Sequence, residues 1–333
     1  EQKLFQPPFI EYPEHEFNRP LDPYFLGVWL GDGTKHEITR ADGSKRLMSV
    51  CICKPDNEIA DVCHQQAARW GLKVREVRYP GKCPEYHIHT EKGQNNILLR
   101  VLRWTYRDAE ALDAYFLGPL EVRLQLLAGL IDTDGYLHNN FLEIIQGDRS
   151  LADRIAQLAR SVGLRVTERD KYVPGYDKPY RRLFISGHID RIPTRIPRKQ
   201  AGERRQKKNA LRTGFTVEPI GVGPYCGWTL DGDGRFLLGD FTVTHNTLLA
   251  MLLPTVLEAP RAVILTTAGL VVQAKKMREE YQKHFDIRKD IHWLSYGLLS
   301  SSKSSSILEK IRPELIISDE CQALSVLPLP LSG

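Results

Sequence analysis

Two aspartates, Asp32 and Asp134, each close a short apolar run and directly precede a glycine, in "FLGVWLGDG" and "LLAGLIDTDG". Small residues recur four apart in each run, Gly27 with Gly31 and Gly129 with Thr133, so each pair lies on one face of a helix. Small faces let two backbones approach closely. If the two helices pack together, Asp32 and Asp134 meet at their C-terminal ends. Carboxylates that close repel each other and have perturbed pKa values unless divalent cations sit between them. Carboxylate and carbonyl oxygens are the hard donors that Mg²⁺ prefers. The plain alternative is an Asp-Gly that ends a helix and starts a turn. That reading suits one copy better than two copies in register with a repeat.

The repeat supplies the elements that must position the pair. "IADVCHQQAARWGLKV", residues 59 to 74, and "LADRIAQLARSVGLRV", residues 151 to 166, share Ala, Asp and a Gly-Leu-basic-Val ending at a constant offset of 92. Strand-like runs "MSVCICKPD" and "LEIIQGD" precede them, and "EYHIHT" and "RRLFIS" follow. The unit reads helix, strand pair, helix, strand pair, twice in tandem. The Asp-Gly elements lie 102 apart because the first copy carries a longer turn through "KHEITRADGSKR". A duplicated unit of this kind pairs with its twin about a pseudo-two-fold axis.

"LLAGLIDTDG" resembles the defining motif of the LAGLIDADG homing endonucleases, and "FLGVWLGDG" resembles the diverged first copy of two-motif members. The resemblance spans roughly residues 21–195, with halves at about 21–105 and 119–195. It implies two αββαββα halves whose sheets form a saddle over the DNA major groove. It also implies that Asp32 and Asp134 hold Mg²⁺ at the scissile phosphates, with both strands cut by a pseudo-symmetric monomer. Lys54 and Gln146 occupy equivalent places on the strand after each acidic helix, where similar enzymes keep basic or amide groups that orient water. Surface residues at a strand end are the alternative. Lys178 in "YDKPY" is a further candidate lysine. A Lys-x-Ile-Pro block usual before the second acidic motif is absent near "DAYFLGPLE".

A second constellation is His245-Asn246-Thr247. Before it, "GFTVEPIGVGPYCGWTLDGDGRFLLGDFTVTHN" alternates like closely spaced strands around a "DGDG" turn, and from Thr247 the pattern becomes helical. In that context the block resembles the C-terminal end of an intein. The resemblance implies that the Asn246 amide attacks its own backbone carbonyl, forming a succinimide and breaking the bond to Thr247. His245 would then serve as oxyanion and proton donor, and the Thr247 hydroxyl as the earlier acceptor of the upstream segment. Beyond the junction, "RAVILTTAGLVVQAKKM" and "PELIISDECQAL" resemble motifs Ia and II of a superfamily 2 helicase. Asp319 would be the Mg²⁺-linked carboxylate, Glu320 the water-activating residue and Thr247 the last residue of a P-loop. ATP with Mg²⁺ would belong to the complete host helicase only. The Thr-x-x-His block of such inteins is absent from residues 1 to 20, so the chain is expected not to splice alone and its start reads as an internal cut.

The length of 333 residues allows two or three domains, and 42% hydrophobic with 26% charged residues is ordinary for a globular protein; the resemblances imply a multidomain α+β fold. The expected divisions are a Hint remnant or linker over 1–20, the duplicated endonuclease over 21–195, and a basic linker with a partial all-β Hint splicing segment over 196–246. A partial α/β, RecA-like helicase lobe follows over 247–333. The net charge of +5 is uneven, because residues 191–212 hold nine Lys or Arg against one Glu. A basic segment of that kind suits phosphate contact or a solvated linker, making Arg198, Lys199, Arg204 and Arg205 candidate DNA contacts. The six cysteines show no Cys-x-x-Cys spacing, which argues against a zinc site and for a reducing, intracellular compartment. No apolar run is long enough to span a bilayer, so no membrane partner is expected. The expected partner is double-stranded DNA lacking the insertion. The competing classes are a cleavage-inactive DNA-binding intein remnant in an ATP-dependent helicase, and a protein that is principally a helicase.

Overall fold

A computed structural model describes residues 3–13, 18–39, 43, 45–91, 94–139, 141–175, 177–216, 235–266, 268–283, 285–288, 290–299 and 304–318. The chain is mixed α/β and divides into two units, Pro7–Leu211 and a second formed by Glu1–Gln6 with Arg212–Gly333.

In the first unit the repeat is visible element by element. Helix α1 (Pro23–Asp32) starts at Asp22, whose side chain accepts a hydrogen bond from the Phe25 amide, and proline at the first helical position presets the backbone. A hairpin of β2 (Glu37–Thr39) and β3 (Lys45–Leu47) follows, then β4 (Val50–Cys53), α2 (Asn57–Arg69), β5 (Lys73–Val77) and β6 (Glu85–His89). Two further helices, α3 (Ile97–Arg107) and α4 (Ala109–Phe116), lead to the second copy. That copy comprises α5 (Leu120–Asp134), β7 (Gly135–His138), β8 (Phe141–Gln146), α6 (Arg149–Ser161), β9 (Arg165–Lys171) and β10 (Tyr180–Ser186). Helices α2 and α6 begin at 57 and 149, and β5 and β9 at 73 and 165, which reproduces the 92-residue offset.

The second copy builds an antiparallel sheet in the order β7-β8-β10-β9. In the first copy the order is β4-β6-β5, and the longer turn makes a separate β2–β3 pair in place of a fourth described strand. Alternation fixes which side is covered: Val50, Ile52, Tyr86 and Ile88 are buried in the first sheet, and Leu142, Ile144, Leu183 and Ile185 in the second. All join one core with Tyr24, Phe25, Trp29, Tyr115, Leu126, Leu127 and Leu130. Arg123, buried within α5, donates to the carbonyls of Gly118, Ile10 and Ser161, tying α5 to α6 and to the segment that precedes α1.

The second unit holds β1 (Leu4–Phe5) paired with β11 (Arg212–Thr213), and β12 (Arg235–Leu237) paired with β13 (Val243–His245). Strand β13 passes directly into α7 (Asn246–Val256), so the expected strand-to-helix seam is present, with the helix starting one residue earlier. A parallel sheet then follows in the order β15-β14-β16, from β14 (Ala262–Thr266), β15 (Ile291–Ser295) and β16 (Leu315–Ser318). Helix α8 (Ala268–Tyr281) connects β14 to β15, and the short helices α9 (Tyr296–Leu299) and α10 (Ser304–Ile311) lie between β15 and β16. Every residue of β14 is buried. The "DGDG" turn, Asp319 and Glu320 lie outside the described residues.

Candidate active site

Helices α1 and α5 approach so closely that no side chain fits at Gly27 or Gly129. A Cβ on Gly27 would lie 2.2 Å from the Leu126 carbonyl oxygen, and one on Gly129 would lie 2.2 Å from that of Tyr24. Nearer the tips, a Cβ on Gly31 would meet the Thr133 hydroxyl at 2.0 Å and the Asp134 carboxyl carbon at 3.6 Å. The small residues of both runs therefore set the approach of the two acidic ends. Gly129→Ala forces two backbones apart and is expected to cost about 3 kcal/mol, the upper part of the overpacking range. Chemical denaturation of the variant checks this, and an unchanged midpoint would contradict the close approach.

Both tips are C-terminal, where unpaired carbonyls carry the negative end of each helix dipole. Asp32 and Asp134 add charge of the same sign. Three lysines answer it. Lys54 on the loop after β4 places Nζ 2.7 Å from an Asp32 carboxylate oxygen and donates to the Thr133 carbonyl at 2.6 Å, linking the tip of α1 to that of α5. Lys35 donates to the Leu30 carbonyl at 3.0 Å. Lys199 donates to the carbonyls of Asp132, Ile131 and Thr133 at 2.8, 2.9 and 3.1 Å. On the other side, the Gln146 amide donates to Asp134 at 3.2 Å.

The charge state of the pair follows from this crowding. Burial pushes the Asp134 carboxyl up to about 6, the Asp32 charge pushes it the same way, and Lys54, Lys35 and Lys199 oppose both. Burial and then the Lys54 charge bring the Lys199 ammonium down to about 8. Behind the tips, fully buried Asp132 accepts from the Tyr24 hydroxyl and the Arg195 amide, both at 2.6 Å. Burial raises the pKa values of Asp132 and Tyr24 alike. The Arg195 guanidinium covers the Tyr24 ring, 3.8 Å from its centroid. Asp132 thus braces α5 against α1 and against the segment after β10.

The structure brings Asp32, Asp134, Lys54 and Gln146 together. It separates the basic candidates. Lys199 was expected among the phosphate contacts, but its ammonium is buried and spends three hydrogen bonds on main-chain carbonyls at the end of α5. Arg198 is paired with Asp56. Arg204 donates to the Gln206 side chain at 3.1 Å and to the Lys208 carbonyl. Arg205 is exposed, and Lys178 is exposed in the turn between β9 and β10. His245 closes β13, Asn246 and Thr247 open α7, and their side chains lie outside what is described. Asp132, Tyr24, Lys35 and Arg195 were missed from the sequence. A signal existed for Asp132, because an acid set two residues inside the apolar end of a helix needs a buried partner.

Residues 117–179 match the protein-family model described as "Homing endonuclease". The chain is 30% identical over 253 residues to the replicative DNA helicase DnaB of Mycobacterium intracellulare, across 73% of this chain and 37% of that protein. It is 23% identical over 266 residues to the homothallic switching endonuclease of Saccharomyces cerevisiae, across 65% of this chain and 42% of that one. The chain thus spans about two fifths of the length of these relatives. Among solved structures it is similar to I-DmoI in complex with DNA and Ca, with a TM-score of 0.37 and 18% identity over 50% of this chain and 82% of that one. Another is the K262A mutant of I-SmaMI, with a TM-score of 0.28 and 13% identity over 50% and 80%.

Proposed function

We propose, for a chain whose relatives and family match support an intein-type homing endonuclease in a helicase, that Pro7–Leu211 is a metal-dependent, site-specific double-strand DNA endonuclease. One observation carries the proposal: two acids on glycine-packed helix tips, with Asp134 held near pH 6 partly by the Asp32 charge. Negative tips and paired carboxylates form a hard-oxygen donor set suited to Mg²⁺. Asp32 and Asp134 would hold it, and the bound ion would supply a metal-activated water and charge neutralisation at the scissile phosphate. Lys54 steadies Asp32, Gln146 orients Asp134, and Asp132 with Tyr24 keeps the tips from parting. The two sheets of opposite copies would lie on duplex DNA, the second copy with four strands and the first with three.

The remaining divisions are carried by resemblance. Residues 196–246 would complete a Hint splicing domain, and residues 247–333 would begin the helicase. In a full-length precursor, Asn246→Ala is expected to block release at Thr247, because no amide remains to cyclise. Mass spectrometry finding the normal C-terminal product from that variant would overturn the assignment.

The endonuclease reading is tested by incubating the protein and Mg²⁺ with DNA carrying the uninterrupted helicase gene. A single double-strand cut at the insertion point is expected, lost on chelation. Intact DNA bound by the protein would instead identify a binding remnant.

A further inference from the structure

Strands β4 and β6 carry a second donor set on the face opposite the core. Their antiparallel register sets Cys51 against His87 and Cys53 against Glu85. Val50, Ile52, Tyr86 and Ile88 point into the core, so these four share the other face. The Cys51 sulfur lies 3.7 Å from His87 Nε2, and the same nitrogen lies 2.9 Å from Glu85 Oε2. The donor atoms of Cys51, Glu85 and His87 all fall within 4.8 Å of one another. A tetrahedral zinc, with Zn–S of about 2.3 Å and Zn–N of about 2.0 Å, sets sulfur and nitrogen about 3.5 Å apart. The Cys51–His87 separation of 3.7 Å is within about 0.2 Å of that edge.

The chemistry of the set is as specific as its spacing. Thiolate, imidazole and one carboxylate suit a borderline-soft ion, whereas Asp32 and Asp134 offer only hard oxygens. Cys51 is 2% exposed, while the His87 side chain is 26% exposed, leaving an open side for entry. Cys53 lies two residues along on the same face, its thiol directed at the Cys83 carbonyl 3.7 Å away. All four described cysteines, Cys51, Cys53, Cys63 and Cys83, are free thiols. The lack of Cys-x-x-Cys spacing does not count against such a site, because its ligands come from two paired strands.

We propose that Cys51, His87 and Glu85 form a three-ligand Zn²⁺ site, its fourth position taken by water, that clips β4 to β6. The clip falls in the copy whose sheet has three strands where its twin has four. Zinc would be bound with loss of the Cys51 thiol proton to solvent and no change of oxidation state.

The test uses the full chain, reduced and stripped by chelation, then titrated with Co²⁺ and displaced with Zn²⁺. One equivalent of Co²⁺ is expected to give a thiolate-to-cobalt charge-transfer band with tetrahedral visible bands, both removed by Zn²⁺. Cys51→Ser and His87→Gln are each expected to weaken Zn²⁺ binding by at least about tenfold, and Asp134→Asn to leave it unchanged. His87 is partly exposed, so His87→Gln remains informative if Cys51→Ser folds poorly. Absence of the thiolate band from the reduced protein overturns the site. So does a band that persists in His87→Gln, or one lost in Asp134→Asn.

Discussion

Asp134→Asn is expected to abolish DNA cleavage, by about 10³-fold or more, to leave duplex binding intact, and to raise the melting temperature of the metal-free protein at pH 8. The last effect follows from linkage. The Asp134 pKa is about 6 in the fold against 3.8 for the free carboxyl, so the folded state binds the proton more tightly. Its stabilising contribution is present below about pH 4 and is lost as pH rises through 6. At pH 8 the wild-type protein carries a buried charge beside Asp32, and the asparagine variant does not. The difference in melting temperature should be several degrees at pH 8 and should vanish near pH 4. Mg²⁺ should stabilise the wild type and not the variant, because only the former keeps both carboxylates. Wild-type cleavage by the variant, or equal melting at pH 8, would remove Asp134 from the centre of the site.

Much of this was legible because the signals were local. The 92-residue offset survives in helix and strand starts since periodicity and caps recur at the same spacing. Gly27, Gly31, Gly129 and Thr133 announced a close helix pair, and the separations at those glycines agree. What the sequence hid depends on pairing between distant segments. Lys199 sits in a run of basic residues that reads as a phosphate-contacting segment or a solvated linker, yet its ammonium is drawn to the tip of α5, 66 to 68 residues away in sequence. Asp132 finds Tyr24 108 residues away, a pairing no local pattern announces, and its role is to brace. The turn "KHEITRADGSKR" gave no hint that its strands would pair with each other and not extend the sheet. Cys51 and His87 lie 36 residues apart and meet only through strand register, which no cysteine spacing rule detects.

Lys54→Met should lower cleavage by about 10²-fold at neutral pH and should move the whole pH profile to higher pH. Lys54 is the cation shared by the two tips, at 2.7 Å from Asp32 and 2.6 Å from the Thr133 carbonyl. Its charge lowers the Asp134 pKa, so without it Asp134 rises above about 6 and is protonated over more of the acid range. If Asp134 holds the metal as proposed, the acid limb follows its ionisation and shifts upward. Burial first and the Lys54 charge second bring Lys199 down to about 8, so removing that charge lets Lys199 stay protonated, and keep the carbonyls at the tip of α5 tied, to higher pH, carrying the alkaline limb in the same direction. Lys54→Arg keeps the charge and should hold both limbs near their wild-type positions even where the altered reach costs rate. A role confined to packing predicts the opposite pattern, a loss in Lys54→Met that is uniform across pH. Cleavage profiles of the two variants from pH 5.5 to 9.5 separate the cases, and limbs that stay fixed in Lys54→Met would remove Lys54 from the electrostatics of the pair.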